Sequence, residues 1–269
     1  MSNAGSKPKI RVAIIGAGPA GLGAAIEFQK LPFVDLRIYE QARELREVGA
    51  GISIQRNTWR MLDALGVYDN IDPSTIFSAA DGHSVQHRGQ HDTPPRHKHA
   101  RALRTVLQQA LLKAVDKTNL RLSSRLVEIR ELPNKTLSLR FEDEHTDEVD
   151  LLIGADGVRS VVRQFSFPDH RISYTGTTAF RALVNADDIL SIPNFPDAVT
   201  FWHGPTRAAS VEALSGAFGA GAGFALEDVY VLARAVQWAH ERDFPLSDAL
   251  ILYDRVRSPH YKDMVCANA

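Results

Sequence analysis

The order of apolar and polar positions changes rhythm several times along the chain, and each change predicts an element. Ile10 to Ile15 (IRVAII) is a short apolar run with β-branched residues, the pattern of a strand buried in a parallel sheet. Glycines follow, then a helical stretch from about Ala20 to Lys30, and Leu36 to Tyr39 forms a second strand ending at Glu40. This opening is a βαβ unit. Asn57 is placed to cap a helix through Trp59, Leu62 and Leu65, with Gly66 just past its end. From Arg101 to Val115, apolar residues at 103, 106, 107, 110, 111, 114 and 115 predict an amphipathic helix. The rhythm then becomes one of alternation. RLVEIRE and TLSLRF flank a Pro133-Asn134 turn, and VDLLIG follows as a further strand. Phe180 to Val184 and Ala198 to Trp202 are candidate strands, Glu227 to His240 a helix, and Ser247 to Arg257 another.

Composition narrows what such a chain does. Of 269 residues, 44% are hydrophobic and 23% charged, ordinary for a globular protein with a real core. A net charge of −1 gives no electrostatic reason to expect nucleic acid or an anionic membrane as partner. Cys266 is the only cysteine, so no intrachain disulfide forms and a reducing, cytoplasmic setting is expected. The apolar stretch from Ile10 to Phe28 is not a targeting helix, because Gly16, Gly18, Pro19, Gly21 and Gly23 interrupt it. No apolar run is long enough to span a membrane. Residues 1–9 are polar and read as a disordered tail. No internal repeat is present.

The chemistry begins at Gly16-Ala17-Gly18-Pro19-Ala20-Gly21, between the first strand and its helix. Gly16 permits the tight turn, Gly18 lets a pyrophosphate approach the backbone, and Gly21 lets the helix pack closely on the sheet. Glu40 lies nineteen residues beyond Gly21, at the end of the next strand, where a carboxylate accepts hydrogen bonds from a ribose. Together these features point to a dinucleotide, without choosing between FAD and NAD. His83, His87, His91, His97 and His99 lie in a polar, proline-bearing stretch with no cysteine or acidic cluster to complete a metal site. They read as loop histidines, and no metal is expected.

A second string, DLLIGADGVRSVVR (150–163), is more particular than a strand ending in an Asp-Gly turn. With GAGPAG and Glu40 it resembles the single-component flavin-dependent aromatic hydroxylases, the group of salicylate and p-hydroxybenzoate hydroxylases. YEQARELREVGAGISIQRN (39–57), YTGTTAFRALV (174–184) and GAGAGFALEDVYVLARAV (219–236) are similar to the same family. The resemblance covers most of the chain, from about residue 10 to 260. It implies an α/β fold: an FAD/NAD(P)-binding Rossmann-like domain of the p-hydroxybenzoate hydroxylase type, beside a reduced substrate-domain sheet. The FAD-binding domain is expected in 10–78, 98–165 and 211–262, and the substrate-domain remnant in 79–97 and 166–210.

By this resemblance Gly16, Gly18 and Gly21 hold the FAD pyrophosphate and Glu40 the adenosine ribose. Gly49, Gly51 and Arg104 contact the cofactor. Asp156 and Gly157 form a second FAD motif, also implicated in nicotinamide cofactor binding. Gly221 and Ala222 line the isoalloxazine ring, and Arg181 faces flavin and substrate as the candidate catalytic residue. The implied reaction hydroxylates a phenolic or aromatic acid with FAD, NAD(P)H and O2 through a C4a-hydroperoxyflavin. The implied partners are a small aromatic substrate and, at most, a second copy of the chain, as monomer or homodimer.

One part of the family pattern is absent. A strand ending in Gly-Asp is expected before the glycine turn, and the corresponding place holds Gly204-Pro205, which supplies no carboxylate. The interval between Asp156 and Gly219 is also short for a full substrate sheet. The chain therefore reads as a family member with internal and C-terminal segments missing. The alternative function is a flavin-binding or partner-binding pseudoenzyme. An NAD-dependent reductase is a third reading, which the Asp-Gly string and the turn at 219–223 weaken.

Overall fold

The structure, a computed structural model, describes residues 7–45, 51–78, 93–174, 185, 187–188, 191–193, 201–203, 208–210 and 221–266. In chain order the strands are β1 (Ile10–Ile15), β2 (Val34–Tyr39), β3 (Gly51–Ile54), β4 (Phe77–Ser78), β5 (Ala100–Leu103) and β6 (Leu120–Arg121). β7 (Leu126–Glu131), β8 (Leu137–Phe141), β9 (Thr146–Val149), β10 (Leu151–Gly154), β11 (Phe201–His203) and β12 (Ala208–Ser210) follow. The helices are α1 (Pro19–Phe28), α2 (Arg56–Leu65), α3 (Arg104–Leu112), α4 (Val161–Ser166), α5 (Gly221–Glu241) and α6 (Leu246–Cys266). These elements group into two compact units, one of residues 1–45, 114–170 and 225–269, the other of 46–113 and 171–224. The sequence stretches expected to bind FAD are thus shared between both units.

The first unit is built on a parallel sheet of order β10-β1-β2-β6. β1 lies between β2 (Ile10 opposite Val34 through Ile15 opposite Tyr39) and β10 (Val12 opposite Leu151 through Ile15 opposite Gly154). Such a strand is covered on both faces, which explains its nearly continuous apolar run. On one face Ala13, Ile15 and Tyr39 pack with Leu126, Leu139, Phe141 and Val149 of the antiparallel meander β7-β8-β9. Within the same unit α1 and α5 pack closely. A Cβ built on Gly23 would lie 2.5 Å from Leu226 Cδ2, so the glycine sets their approach.

The predicted strand VDLLIG is two strands. β9 closes the meander and β10 enters the parallel sheet, with Asp150 at the break between them. Arg11 of β1 holds that break. Its backbone N–H donates to Asp150 Oδ2 (2.8 Å), and its guanidinium to Oδ2 (3.1 Å) and Oδ1 (2.7 Å). These bonds hold the Asp150 carboxyl below its usual pKa.

The second unit contains the antiparallel sheet β3-β5-β4 and the antiparallel pair β11-β12. Four helix boundaries in the chain differ from the sequence expectation. Asn57 does not cap α2: the N-cap is Gln55, and Asn57 is already helical, while Gly66 closes the helix in the left-handed conformation as expected (φ +75°). The helix expected from Arg101 begins at Arg104, because residues 100–103 are drawn into the sheet as β5. The helix expected from Glu227 begins six residues earlier at Gly221, and α6 runs on past Pro259 to Cys266. Glu227 and Asp228 therefore do not sit at a helix N-terminus. They bind α6 instead: Arg257 Nε donates to Asp228 Oδ1 (2.6 Å), Arg257 pairs with Glu227 (3.2 Å), and Tyr261 donates to Asp228.

Candidate functional site

Two turns meet at the C-terminal ends of neighbouring strands. β1 runs into Gly16-Ala17-Gly18, and β10 into Ala155-Asp156-Gly157, with Ile15 opposite Gly154. The strand order reverses between β1 and β10, which is where open α/β sheets place a ligand crevice. The turns fit each other through missing side chains. A Cβ on Gly16, whose φ is +102°, would stand 2.4 Å from the Ala155 carbonyl oxygen. One on Gly21 would stand 1.8 Å from the Gly16 carbonyl oxygen. A Cβ on Gly18 would meet nothing within 4 Å, so this glycine borders open space.

That space faces the start of α1. Gly18 is its N-cap and Pro19 its first residue, and no side chain caps the end. The first-turn N–H groups consequently point outward with no partner along the helix, a setting that favours a phosphate. Glu40 stands beside this turn and accepts from the backbone N–H of Ala17 (2.8 Å) and of Ala42 (2.8 Å). Each carboxylate oxygen retains a lone pair for a further donor.

Asp156 is likewise divided. Its Oδ2 accepts from the N–H groups of Val161 (2.7 Å) and Val162 (3.3 Å), and Ser160 Oγ accepts from Arg163 N–H (2.8 Å), so α4 is capped from two sides. Asp156 Oδ1 is buried with no partner. A buried carboxylate oxygen left unpaired costs free energy, and a hydroxyl donor would relieve it. Open phosphate-facing amides, a half-satisfied Glu40 and an orphaned Asp156 oxygen fit a group carrying both phosphates and sugar hydroxyls.

In the second unit, Gly51 lies opposite Leu103, the residue before Arg104, so the register brings these two expected contacts to one end of the β3/β5 pair. Gly221 and Ala222 open α5. The neighbouring Gly223 is the tight position: a Cβ there would be 2.6 Å from both Thr58 Oγ1 and Asn57 Nδ2 in the first turn of α2. Thr58 Oγ1 is buried without a partner. Gly49 and Arg181 lie outside the described residues, as do His83, His87 and His91. Of the other two histidines in that stretch, His97 is held by Asp63, at 2.5 Å. Among the described residues no cluster of His, Cys, Asp or Glu is arranged to hold a metal, and no helix is long and apolar enough to cross a membrane.

Sequence reasoning missed three contributors. Ala155 makes Gly16 obligatory through its carbonyl, a contact between residues far apart in the chain. Ser160, three residues before Arg163, carried a readable capping signal. Thr58 had none, because its place depends on how α5 packs. Gly204-Pro205, where the Gly-Asp strand was expected, lie outside the described residues. The flanking strands β11 and β12 pair antiparallel, Phe201 opposite Ser210 and His203 opposite Ala208.

The comparisons with known proteins give the family. Residues 9–249 match the FAD binding domain family, and the chain belongs to that family. FAD is the cofactor for which it is built. Among curated relatives, 3-amino-4-hydroxybenzoate 2-monooxygenase of Streptomyces cremeus is 33% identical over 208 residues, covering 74% of this chain and 52% of the relative. The 3-hydroxybenzoate 6-hydroxylase of Klebsiella oxytoca is 29% identical over 216 residues, covering 73% of this chain and 52% of the relative. Among solved structures, 2-methyl-3-hydroxypyridine-5-carboxylic acid oxygenase is similar with a TM-score of 0.47 and 28% identity, over 57% of this chain and 41% of that one. The chain spans about half the length of the curated relatives it matches.

Proposed function

We propose that this chain is the FAD-binding portion of an NAD(P)H-dependent monooxygenase that hydroxylates a phenolic or aromatic acid. The observation that carries the reading is the pairing of the turns after β1 and β10 at the reversal of strand order, with family membership beside it. In the proposed reaction NAD(P)H, O2, a proton and an aromatic C–H yield NAD(P)+, water and the phenol. One oxygen atom enters the ring and the other leaves as water. Bound FAD supplies hydride acceptance and oxygen activation.

The residues of the chain bind and orient. Gly16, Gly18 and Gly21 with the open end of α1 receive the pyrophosphate, and Glu40 receives the ribose. Asp156 Oδ1 accepts from a cofactor hydroxyl while Oδ2 holds α4 in place, with Gly157 completing its turn. Gly49, Gly51 and Arg104 contact the cofactor, Gly221 and Ala222 line the ring, and Arg181 attracts the aromatic anion. In functional terms 10–78, 98–165 and 211–262 serve FAD, and 79–97 and 166–210 the substrate. The reading carries with it a cytoplasmic location and a monomer or homodimer.

The purified chain should take up FAD and consume NAD(P)H, faster with hydroxybenzoate-like phenols present. Arg181→Ala should lower hydroxylation more than FAD retention, and equal losses would remove its substrate role. A second reading, a flavin-binding pseudoenzyme, is favoured by Pro205 and by the antiparallel β11-β12 pair beside it. It predicts FAD uptake with no hydroxylated product from any phenol. A chain that binds no FAD overturns both.

A further inference from the structure

A separate concentration of positive charge lies in the second unit, along α2. Arg56, Arg60 and Asp63 succeed one another along this helix, and the single turn Pro95–His97 adds Arg96 and His97. His97 Nε2 is 2.5 Å from Asp63 Oδ2, and Arg96 pairs with Asp63 as well. One carboxylate therefore answers two basic groups. The pKa of His97 is held low by burial and then by the charges of Arg96, Arg60 and Arg56, and Arg56, Arg60 and Asp63 share one face of α2 by their spacing of four and three residues. Among the described residues no carboxylate pairs with Arg56 or Arg60, and both side chains are exposed. With His97 neutral, three guanidiniums against one carboxylate leave a local charge of about +2, the counterpart of a phosphate monoester near −2 at neutral pH.

The position gives that charge a context. The first turn of α2 is the one that Gly223 touches, at the start of α5. From Asn57, Arg60 lies about 4.5 Å and Asp63 about 9 Å further along the helix axis. The cluster therefore lies on the helix that borders the glycine turn expected at the flavin ring.

We infer that Arg56, Arg60 and Arg96 form a receptor for a phosphate monoester, namely the 2′-phosphate that distinguishes NADPH from NADH. The inference rests on the oxidoreductase reading above and adds to it the choice of reductant. Arg56 and Arg60 are the deciding pair, since Arg96 is already engaged with Asp63. Guanidiniums suit this task because they remain charged at any working pH and present two parallel donors to phosphate oxygens.

The test is calorimetric titration of the FAD-loaded protein with NADP+, with NAD+ and with inorganic phosphate, alongside the Arg56→Gln/Arg60→Gln double variant. NADP+ should bind at least about tenfold more tightly than NAD+, the effect of one charge-assisted contact. Inorganic phosphate should weaken NADP+ binding and leave NAD+ unaffected. In the double variant the preference should fall to within about threefold, with FAD content and NAD+ affinity unchanged, since exposed arginines are replaced at little cost in stability. Equal affinities in the unmodified protein, or a preference that survives the double substitution, overturn the inference. Phosphate binding with no dinucleotide preference assigns the cluster to free phosphate and overturns it too. If the chain takes up no FAD, the oxidoreductase reading fails by itself, and an absence of phosphate binding to the same protein removes the receptor independently.

Discussion

Two glycines of one turn carry different physical requirements, and substitution separates them. At Gly21 an added Cβ would enter the Gly16 carbonyl at 1.8 Å, and no flexible side chain is there to yield. Gly21→Ala should cost several kcal/mol, about 3 or more, by urea unfolding, because backbone must shift. Gly18 has φ −73° and open space around its Cβ position. Gly18→Ala should therefore leave stability within about 1 kcal/mol of the unmodified protein, or raise it slightly. Its effect should appear in FAD affinity, at least about tenfold weaker by flavin fluorescence, because the new methyl occupies the phosphate's approach. Unchanged affinity would detach Gly18 from the pyrophosphate. Asp150 offers a pH test at the same scale. Hydrogen bonds from Arg11 lower its folded pKa, so its stabilisation is complete above the unfolded pKa near about 3.9 and is lost as pH falls through the folded value. The pair is partly exposed, and Asp150→Asn should cost about 1 kcal/mol at pH 7. The gap between the two proteins should close on acidification toward pH 3, and a constant gap would show that the charge contributes nothing.

Between elements, the most demanding contact joins α1 to α5. Glu27 is 1% exposed and bonds Lys30 at 2.5 Å and Arg234 at 2.6 Å, next to the close approach at Gly23. Arg234→Met leaves this buried carboxylate with Lys30 alone and should cost about 1–3 kcal/mol. Arg242→Met removes a cation whose partner Glu241 is 3.7 Å away with both side chains half exposed, and should change stability by less than about 0.5 kcal/mol. Equal unfolding midpoints for the two variants would show that Glu27 does not depend on Arg234. This contact also marks how far the sequence could be read. β1, α1, β2 and the meander were legible because their apolar positions repeat locally, and the Gly16 and Asp156 turns because their residue types are specific. The break at Asp150 was not legible, since β9 and β10 are both apolar and only pairing with β1 divides them. Arg101 to Leu103 satisfied a helical period yet joined β5, an instance of tertiary pairing prevailing over local pattern. The early start of α5 was hidden by its glycines, weak helix formers that packing on Asn57 and Thr58 tolerates.

At the scale of the whole chain, the candidate cofactor residues belong to both compact units. Gly16, Gly18, Gly21, Glu40, Asp156 and Gly157 lie in the first, and Gly51, Arg104, Gly221 and Ala222 in the second. A ligand that binds only the folded form stabilises whatever it touches, by about 2.7 kcal/mol at a hundred times its dissociation constant. Hydrogen exchange can therefore test each segment's contact with FAD separately, because protection reports local opening. ADP carries the diphosphate and adenosine but no flavin ring. At saturation it should slow exchange at residues 16–22 and 156–162 and leave 51–54, 100–104 and 221–224 unchanged. FAD should slow exchange in all of these segments. Protection of the first group alone by both ligands would confine the cofactor to the first unit and remove Gly51, Arg104, Gly221 and Ala222 from the site. Protection of every segment by ADP would show instead that the second group of segments responds to the nucleotide without reference to the ring, and the glycine turn at the start of α5 would lose its assignment to the flavin.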